Sequence, residues 1–146
     1  MRIFTEEEKK KESFLRIANV LYSHWRISTH EEKQKLMCGG HTRLFDALIY
    51  EGYIIKGESV KGQGHREHIV PCVLIRDKSY EMFNNGFLIE DVANMIEKNL
   101  IIIHITKDER KELDKIYKTT MPNGWEFGNN PYMRLEKMGI KIKMYN

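Results

Sequence analysis

Residues 100–109 read LIIIHITKDE, and this stretch decides the fold. Its first six residues are almost wholly apolar and β-branched, which predicts a strand that is covered on both faces. Thr106 and Glu109 follow at the spacing of a capping box, in which the hydroxyl and the carboxylate each accept a backbone N–H bond at a helix start. The helix is expected to run through Tyr117. The stretch therefore predicts a buried strand that leads directly into a helix.

Two further strands are predicted upstream of this stretch. Residues 53–55 form a short apolar run, and residues 65–75 read HREHIVPCVLI. The segment between them, residues 57–64, is polar and glycine-rich (GESVKGQG) and is typical of a hairpin loop. Pro71 lacks a backbone N–H, so it places the second strand at a sheet edge or marks a bend. We therefore predict a hairpin followed by a strand and a helix.

The N-terminal third of the chain is predicted to be helical. Thr5 and Glu8 form a capping box, and apolar residues then recur at helical spacing up to Trp25. A break is expected at residues 26–29, where further capping boxes begin a short helix that stops at the two glycines of residues 39–40. Thr42 is expected to cap a third helix, which covers residues 43–51.

The remaining segments extend the predicted core without a linker. Residues 79–97 form an inserted helix that is interrupted near Asn84-Asn85-Gly86, and the tail ends in a short helix and an alternating strand, IKIKMY. We expect one α+β domain with three parts. These are a helical platform (1–52), a ββα-like core with an inserted helix (53–118), and a C-terminal helix and strand packed on that core (119–146).

Composition limits the class of protein. The 146 residues include 24 basic and 21 acidic side chains, a net charge of +3, which permits a nucleic-acid partner without requiring one. Cys38 and Cys72 form no CxxC pair, so neither a zinc knuckle nor a disulfide framework is expected. The first residues are charged and no apolar run reaches membrane-spanning length. We expect a cytoplasmic protein with no membrane partner.

One polar motif carries a resemblance to a known family. Glu67-His68-Ile69-Val70-Pro71 resembles the first motif of HNH (His-Me finger) nucleases, and an Asn99-led strand followed by residues 106–110 resembles the second half. The order strand, loop, strand, helix is similar to that family's ββα-metal unit. The resemblance implies that His68 is the general base, that Asn99 orients it, and that Glu67 is a metal ligand. It places the family's last functional side chain among Asp108, Glu109 and Arg110. Of these we favour Glu109 as the metal ligand, because a guanidinium does not bind a metal.

The chemistry of phosphodiester hydrolysis explains why such residues would be needed. Water must be deprotonated near neutral pH, and histidine has a suitable pKa for that task. A hard divalent cation must hold the phosphate, and carboxylates are its natural ligands. The implied cofactor is Mg²⁺ or Mn²⁺, and without catalysis no cofactor is expected.

Residues 42–75 also resemble a winged helix-turn-helix, a DNA-binding module without catalysis. In that interpretation Arg43 faces the groove from the recognition helix, while Lys56, Lys61 and Arg66 on the wing contact phosphates. A third possibility is a small accessory or inhibitor protein, of the kind that phages encode, acting on a larger nucleic-acid machine.

The nuclease-like and winged-helix interpretations both predict a nucleic-acid partner, and DNA is favoured over RNA. A protein partner or a homodimer stays open, because the final strand (140–145) is suited to pairing with another strand edge. The side chains expected to contact nucleic acid are basic or imidazole groups near the glycine-rich loop and the helix starts: Arg43, Lys56, Lys61, His65, Arg66, Lys107, Arg110 and Lys111.

Overall fold

The computed structural model describes residues 1–30 and 42–146, and the α+β class is confirmed. Within these residues the chain forms six α-helices and a four-stranded sheet. In chain order they are α1 Glu6–His30, α2 Leu44–Ala47, β1 Ile55–Ser59, β2 His65–His68, α3 Cys72–Asn84, α4 Ile89–Asn99, β3 Ile102–Ile105, α5 Lys107–Tyr117, α6 Met133–Lys137 and β4 Ile142–Met144. The predicted helix that ends at Gly39-Gly40 lies outside the described residues.

The chain forms two compact units, each built from two stretches of sequence. The first unit comprises residues 1–53 and 76–97, and the second comprises residues 54–75 and 98–146. The first unit is helical, whereas the second contains the whole sheet together with α5 and α6. The inserted helical segment therefore belongs mostly with the N-terminal helices.

The first unit is organised around α1. Its apolar face, which includes Phe14, Ile17 and Leu21, is buried. Tyr22 packs edge-on against Phe83 of α3, with ring centroids 5.2 Å apart. The predicted break at residues 26–29 was wrong, because α1 runs through it to His30. This segment contains neither glycine nor proline, and its Ser and Thr lower helix propensity by only tenths of a kcal/mol.

Three other boundaries differ from the prediction. The strand predicted at residues 53–55 is β1, Ile55–Ser59, which includes the first three residues of the predicted loop. Thr42 is not the cap of α2, because Arg43 occupies the N-cap position and no side chain caps the helix, which is only four residues long. The predicted strand at residues 65–75 ends at His68. Pro71 instead begins the turn into α3, since its carbonyl accepts bonds from the N–H groups of Leu74 and Ile75. Proline is favoured at helix starts, where its missing N–H is not needed.

The sheet of the second unit has the strand order β2-β3-β1-β4. β3 lies between β1 and β2, parallel to β1 and antiparallel to β2. The predicted hairpin of β1 with β2 was therefore wrong, and with it the two-stranded wing of the winged-helix interpretation. The physical reason is burial: Ile102, Ile103 and Ile105 are fully buried, and the most apolar strand takes the centre of the sheet.

The strand register divides the side chains between two faces, because neighbouring residues on a strand point to opposite sides. The first face carries Ser59, His65, Glu67, Ile103 and Ile105; α5 and α6 bond to it, and we call it the helical face. The other, which we call the opposite face, carries Glu58, Arg66, His68, Ile102, His104 and Lys143.

The predicted start of α5 is confirmed. Thr106 Oγ1 accepts a bond from the Glu109 N–H, and the Glu109 carboxylate accepts one from the Thr106 N–H, at 3.1 and 2.9 Å. Among the described residues, no helix combines the length and apolar character needed to cross a membrane.

Candidate functional site

Glu67, the first predicted metal ligand, lies on the helical face and bonds to a buried arginine. The Arg134 side chain is completely buried, and one of its Nη atoms lies 2.9 Å from Glu67 Oε2. Arg134 also donates to the backbone carbonyls of Ile69, His68 and Tyr117. Such a guanidinium satisfies several acceptors at once and neutralises a buried carboxylate. Arg134 thus ties β2, α5 and α6 together.

The second oxygen of Glu67 also has a partner. His65 Nε2 lies 3.2 Å from Glu67 Oε1, so both carboxylate oxygens are in contact with side chains of the protein. A cation at Glu67 would have to compete with Arg134 for the carboxylate of a residue that is only 9% exposed. His65, predicted to contact nucleic acid, is half-buried and turned toward this pair.

Glu109, the other predicted metal ligand, also serves the fold. Besides capping α5, its Oε2 accepts a bond of 2.8 Å from the hydroxyl of Ser59, which is itself buried. Ser59 Oγ accepts a bond from the N–H of Lys61 and so shapes the start of the glycine-rich loop. Glu109 therefore connects the sheet, the loop and α5. Within the described residues, no three acidic, histidine or cysteine side chains are grouped as a metal site would require.

His68, the predicted general base, is separated from Glu67 by the plane of the sheet. The two are consecutive on β2, so Glu67 faces the helices while the half-buried His68 lies on the opposite face beside Ile102. Asn99, its predicted partner, is the last residue of α4 and is buried. The predicted metal ligand Glu67 and the predicted general base His68 therefore lie on different faces of the sheet.

The opposite face carries a row of polar side chains that was not predicted from the sequence. In the strand register Arg66 lies opposite His104, His104 lies opposite Glu58, and Glu58 lies opposite Lys143. One side chain from each of the four strands therefore lies in a line across the sheet. We call these four residues the cross-strand row. Arg66 and Lys143 at its ends are exposed, while Glu58 and His104 in its centre are half-buried. Only the register could reveal it, because its members come from four distant segments.

Two further side chains gather around Glu58. Gln63 of the loop donates to Glu58 Oε2 at 2.6 Å and lies 3.3 Å from the hydroxyl of Tyr145. Burial raises the pKa of the Tyr145 phenol, and the negative charge of Glu58 raises this pKa further. Glu58 is thus held by uncharged partners.

The glycine-rich loop of residues 60–64 lies against the start of α5. A Cβ atom added to Gly64 would stand 3.4 Å from the backbone N of Lys107. Lys61, Lys107, Arg110 and Lys111 are all exposed, and we call these four residues the loop–helix patch. Arg110 also pairs with Asp114 at 3.5 Å. Four of the eight predicted nucleic-acid contacts are therefore on this loop and the adjoining helix.

The remaining predicted contacts are elsewhere. Arg66 is an end of the cross-strand row, and the half-buried Lys56 lies on β1, where the pairing with β3 is irregular. Arg43 is exposed and belongs to the first unit, whereas the other seven belong to the second. No functional role was predicted from the sequence for Glu58, His104, Arg134 or Lys143. The sequence contains one signal at His104, which is a titratable side chain within an apolar strand.

No family model matches this sequence, and searches of curated proteins and of solved structures find no significant match to the chain.

Proposed function

We propose that the protein binds nucleic acid through its second unit. The observation that carries this proposal is the uneven exposure of its charges. The second unit contains thirteen basic and eight acidic residues, and eleven of the basic but only four of the acidic residues are exposed. The first unit, by sequence, has eleven basic and thirteen acidic residues. The basic surface is therefore concentrated on the unit that contains the sheet.

The fold itself produces this imbalance. Glu67 and Glu109 are buried in contacts with Arg134 and Ser59, while Glu58 is half-buried beside Gln63. These carboxylates are withdrawn from the surface, whereas the lysines remain on it. Nucleic-acid backbones carry a dense negative charge, and each lysine or arginine that neutralises a phosphate releases bound counterions. A surface of this composition supports phosphate binding with little sequence preference.

Salt-dependent binding to labelled oligonucleotides tests the proposal. Fluorescence anisotropy with single- and double-stranded DNA and RNA should show a dissociation constant that rises with KCl concentration. Replacing Lys61, Lys107 and Lys111 together by Gln should weaken binding and lower the log–log salt slope by about two to three, since each phosphate contact contributes about 0.7 to 0.9.

A matched control removes the same charge from the first unit. Lys9, Lys11 and Arg2 are exposed there, and replacing all three by Gln should leave the slope nearly unchanged. Equal losses in the two triple variants would show that net charge alone drives binding. Absence of binding at about 50 mM KCl would refute the proposal and favour a protein target.

Metal-dependent cleavage by Glu67 and His68 stays a separate prediction. Plasmid nicking with Mg²⁺ or Mn²⁺, compared between the wild type and His68→Ala, measures it directly. Because Glu67 is bonded to Arg134, Glu67→Gln is expected to alter stability before it alters metal dependence.

A further inference from the structure

We propose that the cross-strand row is a site for metal-independent cleavage of RNA, with Glu58 as general base and His104 as general acid. The proposal rests on the nucleic-acid binding argued above and names its substrate class. Adjacent strands of a sheet are about 4.8 Å apart, and register partners present their side chains on the same face. Glu58 and His104 are such partners on β1 and β3, so a carboxylate and an imidazole stand side by side.

The two cations of the row lie on either side of this pair. Arg66 is the register partner of His104, and Lys143 is the register partner of Glu58. A phosphate above the central pair would therefore have a guanidinium on one side and an ammonium on the other. Arginine and lysine in this position would stabilise the additional negative charge that develops on the non-bridging phosphoryl oxygens in the transition state.

Two of the side chains proposed to take part in the chemistry, His104 and Lys143, are not bonded to other side chains of the described residues. Within residues 1–30 and 42–146, His104 and Lys143 make no side-chain hydrogen bond or ion pair. Glu58 is held by Gln63 and lies beside Tyr145, both uncharged groups, so its carboxylate is oriented without a salt bridge. Glu67 and Glu109 differ in this respect, since each is occupied in holding strands to helices.

The proposed reaction uses the ribose 2′-hydroxyl as the nucleophile. Glu58 accepts the 2′-hydroxyl proton while the 2′-oxygen forms a bond to phosphorus. The bond from phosphorus to the 5′-oxygen breaks, and the His104 imidazolium donates its proton to that leaving oxygen. The products are a 2′,3′-cyclic phosphate and a 5′-hydroxyl, and proton exchange with water restores both side chains. Concerted transfer between a positioned base and acid accelerates such steps by about 10² to 10⁴ for each group.

The test uses the full chain and a labelled single-stranded RNA in EDTA, beside the same sequence as DNA. We expect cleavage of RNA alone, with 2′,3′-cyclic phosphate ends, and no cleavage at a residue that carries a 2′-O-methyl group. Glu58→Gln and His104→Gln should each reduce the rate by about 10² or more. Glu112→Gln on α5 and His24→Gln on α1 are the control variants. They make the same two types of substitution outside the row and should leave the rate unchanged.

Binding of a fully 2′-O-methylated RNA separates this inference from the proposal of nucleic-acid binding. Both variants of the row should bind it about as tightly as the wild type, which also shows that they are folded. Wild-type protein that binds this RNA but cleaves none overturns the catalytic inference alone, whereas absence of binding overturns both. Cleavage that survives in both variants, or that requires Mg²⁺ and is lost in His68→Ala, also overturns the assignment to the row.

Discussion

Removing the Arg134 side chain should strongly destabilise the second unit. In Arg134→Met the carboxylate of the buried Glu67 loses its guanidinium partner, and three backbone carbonyls lose a donor. Breaking a buried ion pair by removing one partner costs about 3 to 5 kcal/mol, because the other charge stays buried without compensation. Domains of this size are stable by about 5 to 15 kcal/mol, so this variant loses a large fraction of its stability.

Urea denaturation measured by tryptophan fluorescence gives this free energy. Trp25 belongs to the first unit and Trp125 to the second, so a Trp25→Phe background makes the signal report on the second unit. Arg110→Met is the matched control. Arg110 is half-exposed and pairs with Asp114 at 3.5 Å, so its loss should cost less than about 1 kcal/mol.

A double-mutant cycle isolates the pair itself. Glu67→Gln should cost less than Arg134→Met, because the amide oxygen still accepts a bond and Arg134 keeps its three carbonyls. Combining both substitutions should cost clearly less than the sum of the single losses, with a coupling of about 1 to 3 kcal/mol. A loss below about 1 kcal/mol in Arg134→Met, or strictly additive effects, would refute the argument that this ion pair joins the strand to the helices.

Three further outcomes are expected. Ser59→Ala should lower the free energy of unfolding by about 1 to 3 kcal/mol, since Glu109 Oε2 loses its 2.8 Å donor in a buried place; an unchanged urea midpoint would contradict this. Thr106→Ala should cost about 1 kcal/mol through loss of the α5 cap, and Thr106→Ser should recover most of it in the same measurement. Glu58→Gln should lower the pKa of Tyr145 toward its usual range, because a negative charge that opposes phenolate formation is removed, and an NMR titration of the tyrosine ring that shows no change would disprove their proximity.

Local sequence was sufficient where a structure depends on neighbours in the chain. The Thr106–Glu109 box and the apolar run before it predicted β3 and α5. A cap involves residues three apart, and the apolar side chains that indicate a buried strand lie within the strand itself. The interruption near Gly86 was likewise predicted, and this glycine has φ +81°, a conformation in which a side chain is strained.

Only the tertiary structure decided which strands are neighbours and which side chains meet. The loop between β1 and β2 is typical of a hairpin, yet burial of three isoleucines favours β3 between them. The same register aligned Glu58, His104 and Lys143, and a helix near the end of the chain supplied Arg134 to Glu67. Alternation along a strand is local, and it puts Glu67 and His68 on opposite faces of the sheet. The partners that each side meets depend on long-range packing, which no local spacing encodes.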